Sequence, residues 1–268
     1  MKNKFLKGLV TSFLLAVSGL ANAGIIYVTN GDSSRLAIAD TSSGTLIDTI
    51  TTSRGAYPIA VQDSIWLGHL YGSNTASEYD LNGLSTGSTS TASMFSATDG
   101  ASDGTMNYAL TGVFSSNAQV ISANKDWTNQ QSMFSISSNS GRLVGITFDS
   151  VFDSFWISSA REIFQYSLTG DLISKFSHSA GDGGALAYDQ ETDSIWMVAR
   201  GSGYTNGTLV QYNKSGSVLQ TQFISGLSSN NWGAEFAMAT TEVPEPSTLA
   251  VFALGLMGLA SRKFKKQA

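Results

Sequence analysis

Two stretches of this chain repeat one another at a spacing of 40 residues, measured from Trp156 to Trp196, and that period limits the fold more than any other feature. GITFDSVFDSFWISSAREIFQYSLTGDLISKF begins at Gly145, and GALAYDQETDSIWMVARGSGYTNGTLVQYNKSGSVLQTQF begins at Gly184. Each reads as an apolar strand, an Asp-bounded turn, a strand ending in Trp, a third strand ending in an aromatic residue, a Gly turn and a fourth strand. A third copy, YPIAVQDSIWLGHLYGSNTASEYDLNG, places Trp66 after Asp63, Ser64 and Ile65. A fourth, degraded copy runs from Gly104, with Val120 at the Trp position. Four short strands in about 40 residues is the period of a β-propeller blade.

The remaining pieces complete a ring. Gly233 to Met238 reads as a first blade strand with no successor, and IIYVTNGDSSRLAIADTSSGTLIDTI reads as three strands lacking their first. Joined, they make one blade from both ends of the chain, which removes exposed sheet edges. The expected fold is therefore all-β: a five-bladed propeller over residues 24–241 with one shared blade, six or seven blades being the alternative. This opening stretch, with Tyr27-Val28-Thr29-Asn30, Ile38-Ala39-Asp40 and Ser43-Gly44-Thr45, resembles the YVTN-type repeats of bacterial surface propellers.

Both ends of the chain read as addresses. Lys2, Lys4 and Lys7 precede the apolar run LVTSFLLAVSGL, and Ala21-Asn22-Ala23 follows. Basic, apolar, then A-x-A is the order of a secretory signal peptide, here residues 1–23, cut by signal peptidase after Ala23. Its apolar core of about 12 residues is short of the roughly 20 that span a bilayer. At the other end, residues 242–268 hold Pro244-Glu245-Pro246, an uncharged segment over 248–260, and Arg262, Lys263, Lys265 and Lys266. A helix over that segment reaches about 20 Å, against a hydrocarbon core of about 30 Å. It is a marginal permanent anchor, and the charges behind it hold the C-terminus in the cytoplasm.

This tail closely resembles the PEP-CTERM sorting signals of Gram-negative bacteria: a Pro-Glu-Pro motif, a short apolar helix and a terminal basic cluster. The resemblance implies recognition and processing by a membrane-embedded exosortase. It also implies a precursor transiently inserted in the inner membrane, and a body delivered to the cell surface or the extracellular space.

Residues 24–247 carry all 20 acidic residues and 8 of the 15 basic ones, a formal charge of −12. That balance argues against nucleic acid and anionic membranes as partners, leaving cations, neutral glycans and proteins. Cysteine is absent, which removes disulfides, thiolate catalysis and thiolate zinc sites.

Few residues suggest chemistry. Asp149/Asp153 and Asp189/Asp193 are paired carboxylates, but each pair brackets a turn that Asp caps through the backbone. His69 and His178 fall in different blades. No catalytic residue and no cofactor is assigned. Asp99 and Asp103, in DGASDG, are weak calcium candidates in a loop, where hard cations want clustered oxygens. Ser85 to Thr98 holds nine Ser or Thr and reads as an exposed loop. Trp66, Trp156 and Trp196 recur in phase and read as blade core. Trp127 and Trp232 lie out of phase and are candidates for a sugar-stacking face.

The expected function is a non-enzymatic surface or matrix protein that binds extracellular polysaccharide or a surface protein. PEP-CTERM proteins of this kind occur with exopolysaccharide systems, which points to glycans. The alternatives are a propeller-type lactonase or lyase, which needs converging acidic or His ligands at the channel, and a purely structural coat or spacer.

Overall fold

The computed structural model describes residues 24–238, apart from 32, 53–54, 70–73, 93–96, 113–117, 137–141, 201–204 and 228–229. Ala21, Ala23 and the whole tail from Pro244 to Lys266 lie outside the described residues. The compact unit extends to Met238.

All regular structure among the described residues is β. In chain order the strands are β1 (Ile25–Asn30), β2 (Arg35–Asp40), β3 (Thr45–Thr51), β4 (Ala56–Val61), β5 (Ile65–His69), β6 (Thr75–Tyr79) and β7 (Ser85–Thr91). Next come β8 (Asp99–Ser102), β9 (Asn107–Thr111), β10 (Ala118–Ala123), β11 (Gln131–Ile136), β12 (Leu143–Asp149), β13 (Ser154–Ser159), β14 (Glu162–Ser167) and β15 (Leu172–Ser177). The last are β16 (Leu186–Asp189), β17 (Ser194–Val198), β18 (Thr208–Tyr212), β19 (Val218–Phe223) and β20 (Asn231–Phe236).

They form five four-stranded antiparallel sheets, each sheet a blade. Four blades are consecutive, and the fifth has the order β20-β1-β2-β3. The shared blade is therefore present, with Ile26 opposite Phe236 and Val28 opposite Ala234. It forms because β1 is apolar on both faces and needs partners on both edges: four of its side chains, Ile26 to Thr29, are at most 2 % exposed.

Burial grades outward along each blade. β12, β16 and β20 are buried along their whole length. The fourth strands β3, β7, β15 and β19 are mostly exposed, and polar residues dominate β7. Ser85–Thr91 is therefore an outer strand and not the loop expected for that Ser/Thr run. β-branched Thr suits a strand, and the small hydroxyl side chains give solvent an inoffensive outer face.

Close approach of the inner strands depends on glycine. A Cβ on Gly145 would sit 2.3 Å from the Gly184 carbonyl oxygen, and one on Gly233 would sit 2.2 Å from that of Tyr57. Only a hydrogen at these positions lets neighbouring inner strands meet.

The degraded third blade differs from its expected alignment by one strand. Its first strand is Asp99–Ser102, its second is β9, and Val120 falls in the third strand. The position matching Trp156 and Trp196 is Ala109, which faces Gly100 as those tryptophans face Thr147 and Ala187. Trp127 fills the space left there. It comes from the β10–β11 turn at a φ of +64° and packs among Ala60, Ala76, Ala109 and Ile121. Its Nε1 donates to the Trp66 carbonyl at 3.3 Å. Fully buried, Trp127 cannot stack on a sugar. Trp127→Ala is expected to cost about 3–5 kcal/mol, as for a buried aromatic. Urea unfolding checks this; a loss under about 1 kcal/mol would mean that the blade repacks without it.

Candidate functional site

Strands of a blade alternate in direction, so turns after first and third strands share one face, the lower, and the remaining connections share the upper. The inner strands leave one backbone edge unpaired, pointing to the ring axis. Asp99 answers that need. Its Oδ1 accepts the N–H of Gly100 at 2.9 Å and of Ala234 at 3.1 Å, and its Oδ2 accepts those of Leu186 at 2.9 Å and Ile146 at 3.1 Å. One carboxylate thus ties β8 to β12, β16 and β20.

Glu235 is the second buried carboxyl at the axis, and its Oε2 has no hydrogen-bond partner. Burial drives both carboxyls well above the usual range; the four amides pull Asp99 back, and the Asp99 charge pushes Glu235 further up. Surrounded by donors alone, Asp99 holds the charge of this pair and Glu235 holds the proton. The unfolded chain releases that proton above about pH 4. Stability therefore falls as pH rises from there toward the folded value. Glu235→Gln is expected to flatten this decline, matching the wild type near pH 4 and exceeding it at pH 8. Parallel curves in urea titrations at the two pH values would contradict the assignment.

The calcium site considered for Asp99 and Asp103 does not form. Asp99 lies in a strand with both oxygens occupied. Asp103 lies in the next turn, where it accepts the N–H of Thr105 and Met106 and the Tyr108 hydroxyl. Among the described residues, no group of three or more acidic or His side chains is placed to hold a metal ion.

At the upper end of the ring axis, Tyr57, Val144 and Trp232 pack together at the starts of β4, β12 and β20. The Tyr57 and Trp232 ring centres are 5.7 Å apart. Arg200 and Arg142 lie over the Trp232 ring, their Cζ atoms 3.7 Å and 4.5 Å from its centre. Trp232 is only 8 % exposed, so it supports two cations and presents no bare face for stacking on a sugar. Beside it, a narrow cleft on the same face is lined by Asn30, Arg35 and Asn231, among others. Arg161 lies in the β13–β14 connection, also on the upper face.

The lower face is acidic. Asp40, Asp80, Asp149 and Asp189 each accept backbone N–H groups of their own turns. Asp153 and Asp193 occupy positive-φ turn positions that Asp tolerates. Lys214 bridges Asp149 of the preceding blade and Asp193 of its own. Burial alone would raise Asp193, but the Lys214 and Tyr188 hydrogen bonds outweigh it and hold the carboxyl below its usual value. The two histidines serve structure. His69 is buried between the Gly55 carbonyl and Ser77. His178 contacts the Ser159 carbonyl, and burial lowers its pKa.

Residues 242–266 match the PEP-CTERM protein-sorting motif. The PEP-CTERM tail implies export, processing by an exosortase, and a surface or extracellular destination in a Gram-negative bacterium. No curated protein matches the chain significantly. Among solved structures, the propeller is similar to a chain of the nidogen/laminin complex, with a TM-score of 0.54 and 10 % identity over 80 % of this chain and 98 % of that one. It is also similar to a Bacteroides caccae protein of unknown function (TM-score 0.46, 11 % identity, 75 % of this chain and 73 % of that one). A functionally unknown Desulfotomaculum acetoxidans protein gives a TM-score of 0.42 at 15 % identity over 79 % and 74 % of the two chains. The first of these supports the fold alone.

Sequence reasoning missed the roles of Asp99, Glu235, Arg142 and Arg200. A signal existed for the arginines: Arg35, Arg161 and Arg200 each follow the second strand of a blade, and Arg142 precedes a first strand.

Proposed function

We propose that this chain is a surface or extracellular-matrix protein whose propeller, after exosortase processing, binds a polysaccharide or protein partner on its upper face and catalyses no reaction. The observation that carries the reading is the upper end of the axis, where Arg142 and Arg200 lie over Trp232 and Tyr57 packs beside it. A broad, preorganised face with a narrow cleft beside Arg35 suits recognition of an extended partner.

The channel acids support binding over lactonase or lyase chemistry. Asp99 is committed to four backbone amides and Glu235 is enclosed beside it, which leaves neither oriented toward a substrate. Strand β20 ends and β1 begins at the lower face.

A glycan array probed with residues 24–241, with and without calcium, tests the reading. Specific, saturable binding to at least one extracellular glycan is expected. Absence of binding to the array and to surface proteins of the producing cell would leave the coat or spacer reading.

A further inference from the structure

The formal charge of −12 hides a division of charge between the two faces. All four described arginines, Arg35, Arg142, Arg161 and Arg200, lie on the upper face beside Asp182 and Glu162, while the capping aspartates Asp40, Asp80, Asp149 and Asp189 lie on the lower. Those four aspartates are there for a structural reason, each accepting a backbone N–H of its own turn. Arg35, Arg142 and Arg161 are exposed, and Arg142 and Arg200 lie over the Trp232 ring.

Resting on the binding reading above, we infer that the upper face takes an acidic polysaccharide bearing carboxylates, held by Arg142 and Arg200 at the upper end of the axis and by Arg35 and Arg161 farther out. Planar guanidinium forks match carboxylates in bidentate fashion, which an ammonium cannot do. Trp232 fixes two of them in place, lowering the ordering cost of binding. Separate cations on an otherwise acidic body suit a polymer of sparse charge. Duplex DNA carries one charge per about 1.7 Å, and its dense field would meet repulsion from the acidic remainder of the ring.

Affinity electrophoresis of residues 24–241 through gels containing polygalacturonate, dextran or duplex DNA tests the inference. Retardation by polygalacturonate alone is expected, weakening as salt shortens the screening length. Arg35→Gln with Arg161→Gln, both at exposed positions, is expected to weaken it about tenfold. Arg142→Lys with Arg200→Lys keeps the charge and is expected to weaken it as well, because the forks are lost. Thermal melting of each variant separates lost binding from lost folding. Equal retardation by dextran, preference for DNA, or polygalacturonate binding unchanged in both double variants would each overturn the inference while leaving a binding protein. No retardation by any polymer, joined to a silent glycan array, would remove the binding reading itself.

Discussion

Asp99→Ala is expected to bring the domain close to unfolding, at a cost of about 4 kcal/mol or more. Four buried N–H groups from four blades would lose their acceptor together, and each orphaned donor costs about 1–3 kcal/mol. Single domains hold about 5–15 kcal/mol in total, so the loss would be a large fraction of that. Asp99→Asn separates the hydrogen-bonding role from mere filling of space. The amide preserves the shape, but its Nδ2 would point a donor at two donors. Asn is therefore expected to cost about 2 kcal/mol or more. Denaturant titration of the two variants checks the account; tolerance of Asn within about 0.5 kcal/mol, the range of an ordinary surface change, would show that the amides do not depend on the charge.

Deletion of residues 231–241 is expected to abolish cooperative unfolding. It removes β20, exposes the edge of β1 and withdraws the Ala234 amide from Asp99. It also takes Phe236 from the cluster holding Ala187 and Trp196, where the Phe236 and Trp196 rings are 6.2 Å apart. An open three-stranded blade in the ring would be prone to pairing with other chains. A truncated protein that melts like the intact one would contradict closure through the shared blade.

Most of this architecture was legible because the blades mark themselves. Trp156 and Trp196 fall in second strands, Asp149 and Asp189 start their turns, and the apolar runs of β12 and β16 set the inner layer. The shared blade was legible because β1 to β3 lacked a first strand and the C-terminal segment supplied one.

The third blade was harder for two physical reasons. Asp99-Gly100-Ala101-Ser102 is made of turn-forming and small residues, and it is a strand only because the ring needs its carboxylate at the axis. Trp127 sits in a polar turn, and nothing local says that it fills a space bounded by Ala60, Ala76 and Ala109. Set side by side, those alanines and Gly100 were the available sign of a missing large residue. Glu235 gave no sign at all, since a lone Glu in a strand is ordinarily solvated.

The two faces show where reading by net charge stops. An overall excess of acid argued against nucleic acid and anionic membranes, yet the turn-capping Asp40, Asp80, Asp149 and Asp189 fall on one side of the ring. Charge averaged over the chain cannot report that separation, whereas the position of each Arg relative to its blade can.

The central claim, that this propeller is sorted to the surface by its tail, has a direct test. Mass spectrometry of the surface and extracellular protein should recover peptides from the blades and none from Thr248 to Ala268. In cells carrying Pro244→Ala, Glu245→Ala and Pro246→Ala together, export should continue, while the full-length chain accumulates in the inner membrane. Recovery of the tail peptides in most surface molecules of unmodified cells would contradict the account and make the segment a plain anchor.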